Sequence, residues 1–289
     1  MMGRFLVLLT AFITTLGLAT FATTNIISAI ERQSTNTTYS MKVGTLTRSW
    51  EVIAPTATLP KSAPIVVVLS GIAATTPGEI TRDRLVPYVD TDKLELVYPV
   101  PYKTSWNAIG CCGAAAKANI DDVAFLEALV PRVDPGHTRP IYFVGYSNGG
   151  RMAYRLECTD PSLFDGMVAV KADPMPGCVV SKPQNVLVFA SLDDPWVPYK
   201  PGEKGKETPP ATVQIARLQA ALKCRRWPTV AKHGGMSLYQ WSCADGKTLQ
   251  WALYQTGGHN FPAPTATTPG ANQLIWSFIS KSRLAPVPR

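Results

Sequence analysis

Residues 141–151, read as I-Y-F-V-G-Y-S-N-G-G-R, constrain this chain more than any other stretch. Four consecutive apolar or aromatic residues from Ile141 to Val144 predict a short buried strand. Pro140 precedes it, where a proline does not interrupt a ladder. Gly145-Tyr146-Ser147-Asn148-Gly149 then fits G-x-S-x-G, and Met152, Ala153 and Leu156 follow at helical spacing. The predicted order is strand, sharp turn, helix, with a serine at the apex. Such a turn projects the serine Oγ from the carboxyl edge of a sheet. It crowds the backbone, so its flanks must be small, as Gly145 and Gly149 are. The helix start behind Ser147 supplies partial positive charge, and the Asn148 N–H is placed to donate to an oxyanion. G-x-S-x-G alone also fits an ordinary glycine-rich turn with a surface serine. The strand before it and the helix after it give it weight.

A serine is a poor nucleophile without a base. The chain has three histidines, and in hydrolases built on this turn the order is serine, acid, histidine. His137 precedes Ser147 and sits in the polar turn P-G-H-T-R-P. His233 sits in K-H-G-G ahead of a short strand, with no strand expected to lead into it. His259 follows a strand-like run, L-Q-W-A-L-Y-Q over 249–255, and then Thr256-Gly257-Gly258. It is the predicted base, against the blander reading of a solvated loop histidine. The base needs a carboxylate to hold its tautomer and stabilise the imidazolium. The apolar run N-V-L-V-F-A over 185–190 ends in Ser191-Leu192-Asp193-Asp194-Pro195, between nucleophile and base. Asp194 is favoured, with Asp193 as the fallback, because neighbouring loop residues point different ways.

Three further runs accompany these residues: S-W-N-A-I-G-C-C-G at 105–113, N-I-D-D-V-A-F-L at 119–126, and G-G-H-N-F-P at 257–262. Together with G-Y-S-N-G and D-P-W-V-P-Y at 194–199, they resemble the polyhydroxybutyrate depolymerase/feruloyl esterase group of carbohydrate esterase family 1. The similarity spans about residues 43–279. It implies an α/β-hydrolase fold, a mostly parallel central sheet with helices on both faces. It also implies ester hydrolysis by Ser147, Asp194 and His259, without a cofactor. Two departures stand out. The group's L-H-G-x-G is here L-S-G-I-A at 69–73, so the second oxyanion N–H falls to Ile72 by position. The group's H-G-T-x-D is here A-S-L-D-D at 190–194. Neither removes a triad member, and both point to a changed substrate.

The remaining expectations follow from the chain in order. Residues 1–24 carry Arg4, an apolar segment and small residues, the pattern of a secretory signal, with an uncleaved anchor as the alternative. A polar tether is expected over 25–40, the catalytic domain over 41–283, and a frayed tail over 284–289. Alternation predicts an edge hairpin over 41–52. A helix is expected over 120–130, capped by Asn119 with Asp121 and Asp122 in its first turn. Further helices are expected over 212–222 and from Thr268-Pro269 onward. Trp106 and Trp196 are candidate walls for the substrate, with core or rim packing as the alternative. Six cysteines behind a secretory signal predict disulfides. Cys224–Cys243 and Cys158–Cys178 are the favoured pairs, leaving Cys111 and Cys112 to bond each other or pair elsewhere. No metal site is expected, since no C-x-x-C occurs. The net charge of +8 is spread along the chain. It reads as adhesion to an acidic wall or polysaccharide, or as a solvated face, rather than as nucleic-acid binding. The expected protein is a monomeric serine esterase, secreted or held at the cell envelope. Its partner would be a feruloyl- or acetyl-polysaccharide or a hydroxyalkanoate-type ester. Acyl transfer to a sugar hydroxyl, peptide cleavage and a non-catalytic binding role on a hydrolase scaffold are the alternatives.

Overall fold

A computed structural model describes residues 34–284 except 93, 175–177, 179, 181, 183 and 202–208. The signal segment, the first part of the tether, much of the basic loop after Asp194 and residues 285–289 fall outside that range. The strands are β1 Ser34–Val43, β2 Leu46–Pro55, β3 Ile65–Leu69, β4 Glu95–Pro99, β5 Ile141–Tyr146, β6 Gly166–Val170, β7 Asn185–Ser191, β8 Thr229–His233, β9 Met236–Ser242 and β10 Thr248–Tyr254. Among the described residues they form one sheet in the order β1-β2-β4-β3-β5-β6-β7-β10-β9-β8. The middle six strands are parallel, and an antiparallel hairpin closes each end.

The burial of the central strands explains their composition. Every residue of β3 and β6 is buried, as expected of parallel strands covered on both faces. Alternate residues divide between two cores. Ile65, Val67 and Leu69 pack with Leu126 and Leu129 of α4 (Asp122–Val133), Met152 and Leu156 of α5 (Asn148–Thr159), and Ile215 and Leu218 of α6 (Ala211–Ala221). Val66 and Val68 face the other way, toward Val89 of α2 (Pro87–Asp92) and Ile275, Phe278 and Ile279 of α7 (Ala271–Leu284). Two short helices, α1 (Thr76–Asp83) and α3 (Gly113–Lys117), lie in the connections near the carboxyl edge. The expected layering, helices on both faces of a mostly parallel sheet, is what the chain builds.

Several boundaries differ from expectation for identifiable reasons. Residues 34–40, read as tether, belong to β1, where they pair with β2 from Ser34 opposite Pro55 onward. They are polar because this edge strand is solvated, and Thr35, Thr37 and Thr38 are β-branched. The helix expected from Ile120 begins at Asp122, and its cap is Asp121, whose carboxylate accepts from Ala124 N at 3.0 Å. Asn119 instead adopts φ 47° and accepts from the Asn107 amide. Asp122 does more than favour a dipole: fully buried, it pairs with Arg48 at 2.7 Å and accepts from Asn107 N at 2.7 Å. The last helix begins at Ala271, because Thr268 is held in a turn by Thr265 and by Gly235 N. A strand does lead into His233, namely β8, but all five of its residues are exposed. The cysteines pair as Cys224–Cys243, Cys158–Cys178 and Cys111–Cys112.

Candidate active site

The sheet brings three distant loops to one rim. Ser147 sits between β5 and α5 with φ 52° and ψ −116°, a conformation costly for any residue but glycine. It is held there by its N–H, which donates to Val170 O on β6 at 2.9 Å, and by contact on both flanks. A Cβ on Gly145 would stand 2.3 Å from Gly149 O, and one on Gly149 would stand 2.1 Å from Leu69 O. Both glycines are therefore required by close approach of backbone to backbone.

The Ser147 Oγ lies 2.9 Å from His259 Nε2. On the other side of the ring, Nδ1 lies 3.0 Å from both carboxylate oxygens of Asp194. Asp194 is buried, and its Oδ1 also accepts from Trp196 N at 2.9 Å and Val197 N at 3.1 Å. Burial pushes this carboxyl up. The hydrogen bond and charge of His259 and the two N–H groups outweigh that, and its pKa ends below the ordinary value. Asp193 points elsewhere, accepting from Gly258 N at 2.8 Å and Gly257 N at 3.2 Å. It thus ties down the loop that carries His259. Tyr146 ties the same loop by donating from its hydroxyl to His259 O at 2.5 Å.

The opposite wall is built by the Asn148 side chain. Its Oδ1 accepts from Trp106 N at 2.7 Å, and its Nδ2 donates to Trp106 O at 3.1 Å. A further contact reaches Cys111 O at 3.4 Å. The loop that holds Cys111–Cys112 is thereby clamped against the start of α5. Trp106 corrects an expectation: its ring is completely buried and donates from Nε1 to Ser70 O at 3.0 Å. It stiffens the β3 loop from behind and offers no face to a substrate. Trp196 is 46% exposed, with its ring centroid 6.5 Å from that of His259. Ile72, also exposed, follows Gly71 in the loop after β3. Buried Glu79 of α1 pairs with Arg82 behind that loop. Arg82 in turn lies over the Tyr146 ring at 5.0 Å.

The structure thus brings Ser147, His259, Asp194, Asn148, Ile72 and Trp196 to one rim and leaves Trp106 beneath it. Sequence reasoning missed the bracing role of Asp193, the side-chain clamp of Asn148, and Tyr146. It also missed Asp173 after β6, a buried carboxylate occupied by Arg151 of α5 at 2.6 Å. The adjacent aspartates hinted at a division of labour. The other contacts join residues far apart in sequence and leave no periodic trace. A hydroxyl, an imidazole and a carboxylate in this line can move a proton off the hydroxyl and keep the resulting imidazolium paired.

No protein-family model matches the chain. The chain is similar to "Putative esterase NocK" of Nocardia uniformis subsp. tsuyamanensis, 28% identical over 237 residues, covering 72% of this chain and 68% of that protein. Among solved structures it is similar to acetyl xylan esterase from Aspergillus awamori, with TM-score 0.58 and 12% identity over 84% of this chain and 99% of that one. It is also similar to a feruloyl esterase module from Clostridium thermocellum complexed with sinapinate. There the TM-score is 0.55 and the identity 12%, over 80% of this chain and 83% of that one. These structural likenesses are of fold.

Proposed function

We propose that this chain, an α/β-hydrolase by fold, is a serine ester hydrolase working through an acyl-enzyme. The observation that carries the reading is the unbroken line from Ser147 Oγ through His259 to Asp194, at 2.9 and 3.0 Å. Ser147 attacks the ester carbonyl as His259 Nε2 takes its proton. Asp194 holds the ring with Nδ1–H toward it and stabilises the imidazolium. The N–H groups of Asn148 and Ile72 receive the oxyanion. Support for Asn148 is its place as first residue of α5, where backbone N–H groups lack helical partners and the dipole favours negative charge. His259 then protonates the departing alkoxide. Water, activated by the same ring, releases the acid and restores Ser147.

The motif resemblance supports a polysaccharide-linked or hydroxyalkanoate-type ester as the substrate, and the exposed Trp196 indole is the wall for its acyl or aromatic part. Three disulfides favour an oxidising compartment and therefore a secreted or cell-envelope protein. The test is hydrolysis of p-nitrophenyl acetate and methyl ferulate by protein lacking residues 1–24. Ser147→Ala should lower kcat by on the order of 10⁶, and a fluorophosphonate should label the native protein but not this variant. Equal rates or equal labelling in the two proteins would sink the reading. Product analysis with added sugar separates hydrolysis from transfer.

A further inference from the structure

Beside the histidine loop lies a cavity of about 310 Å³ that the proposed chemistry does not use. Gly257 and Asn260 line it on either side of His259, but neither His259 nor Ser147 does. Among the described residues its one charged lining group is Lys171, which follows β6 and is only 1% exposed. The ammonium meets Ser191 Oγ, which donates onward to Thr256 O at 3.3 Å, and it lies 5.9 Å from the centroid of the Tyr254 ring. Among the described residues no carboxylate stands within ion-pair distance of it. Asp194 and Asp193 act on it only from farther off. Burial brings its pKa down to about 8 against their pull, so it remains largely protonated at neutral pH.

A buried ammonium carries three donors, and an unpaired one is costly. The rest of the lining is also rich in donors. Thr268 Oγ1 accepts from Gly235 N at 2.9 Å and Thr265 Oγ1 from Thr268 N at 3.0 Å, which leaves each hydroxyl proton free to donate. Among the described residues no acidic side chain lines the space, and Tyr254 and Phe261 give it aromatic surface. At roughly 30 Å³ per water, it has room for a ligand of about six carbons.

We propose that this cavity binds a small hydroxylated carboxylate, with Lys171 pairing its carboxyl group and the threonine hydroxyls meeting its own. The site is independent of which ester is cut. Binding is measured by calorimetry on Ser147→Ala protein, so that turnover does not enter and failure of the ester reading leaves this result intact. The probes are glucuronate, 3-hydroxybutyrate, acetate and neutral glucose. Glucuronate or 3-hydroxybutyrate should bind at one site per chain, at least tenfold tighter than acetate or glucose. Lys171→Met should weaken it at least tenfold. Gly235→Leu adds bulk at the cavity wall and leaves the Lys171 side chain in the sequence, since a Cβ on Gly235 meets nothing nearer than Thr268 Oγ1 at 3.7 Å. It should abolish binding with the unfolding temperature kept. The proposal is overturned if neither hydroxylated acid binds, or if Gly235→Leu binds as the parent does. Equal affinity for acetate would overturn the part assigned to the hydroxyls, and equal affinity for glucose the part assigned to Lys171.

Discussion

On the serine side of the site, chain packs directly on chain; on the histidine side, polar groups tie an exposed loop. Around Ser147, Gly145, Asn148 and Gly149 are buried, and an added Cβ at Gly149 would meet Leu69 O at 2.1 Å. Around His259, Gly257 and Asn260 are exposed, and the loop is held by Asp193, Asp194 and the Tyr146 hydroxyl. The first kind of support admits no extra atom and fails as a whole. The second can be dismantled one hydrogen bond at a time. A nucleophile that must sit in a strained backbone conformation needs the first kind. A base that must accept and release a proton can be held by the second.

The largest expected effect follows on the serine side. Gly149→Ala forces β3 and α5 apart at the turn, and it should cost more than about 4 kcal/mol, in the range of severe backbone and overpacking defects. Soluble yield and thermal unfolding check this, and a native-like melting curve would show that contact to be soft. Next comes Asp194→Asn, which keeps the shape but not the charge. A loss of about 10⁴ in kcat is expected, as for the same change in another serine triad. Its pH behaviour has a definite sign. The Asp194 carboxyl lies below its ordinary value in the folded chain. The stability it contributes is therefore present above the unfolded-chain value of about 3.9 and is lost as pH falls through the folded one. Urea titrations across the acid range should show less acid destabilisation in the variant than in the parent.

Asn148→Ala tests the clamp apart from the oxyanion donor, because the backbone N–H survives. Removing the side chain leaves the buried Trp106 N–H without its partner, at about 1–3 kcal/mol, while Trp106 O keeps the Ala108 N–H at 3.1 Å. Unfolding should shift by about 1–3 kcal/mol, with kcat falling less than in Asp194→Asn. An unshifted urea midpoint would mean that the loop through Cys111 and Cys112 holds its place unaided.

The same contrast governs what could be read from sequence. Ser147 was legible because packing leaves a pattern: an apolar strand, glycines that must be small, and a helix at fixed spacing. His259 and Asp194 were legible through chain order and the strands that precede them. Trp106 was misread because W-N-x-x-G-C-C-G marks a loop near the site without saying which way its ring points. Burial decided that, and burial is a property of the assembled sheet. The edge strand over 34–40 was misread because its exposed side chains carry no apolar alternation, and only pairing with β2 identifies it. The Arg48–Asp122 ion pair joins residues 74 positions apart and had no local signal.

The smallest effect is expected where sequence was most ambiguous, at Asp193. Read as the rival acid, Asp193→Ala would cost as much as losing Asp194. Among the described residues it accepts hydrogen bonds only from Gly257 and Gly258 N–H, and it is exposed, so water can replace it in part. The loop would lose two anchors and keep Tyr146 and Asp194. A fall in kcat of about tenfold is expected, the change produced by roughly 1.4 kcal/mol of misplacement, with KM nearly unchanged. Because Tyr146 holds His259 O from the serine side, Tyr146→Phe should add to this loss when the two are combined. A drop near that of Asp194→Asn would instead show that Asp193 reaches the ring during turnover and that the two carboxylates share the role.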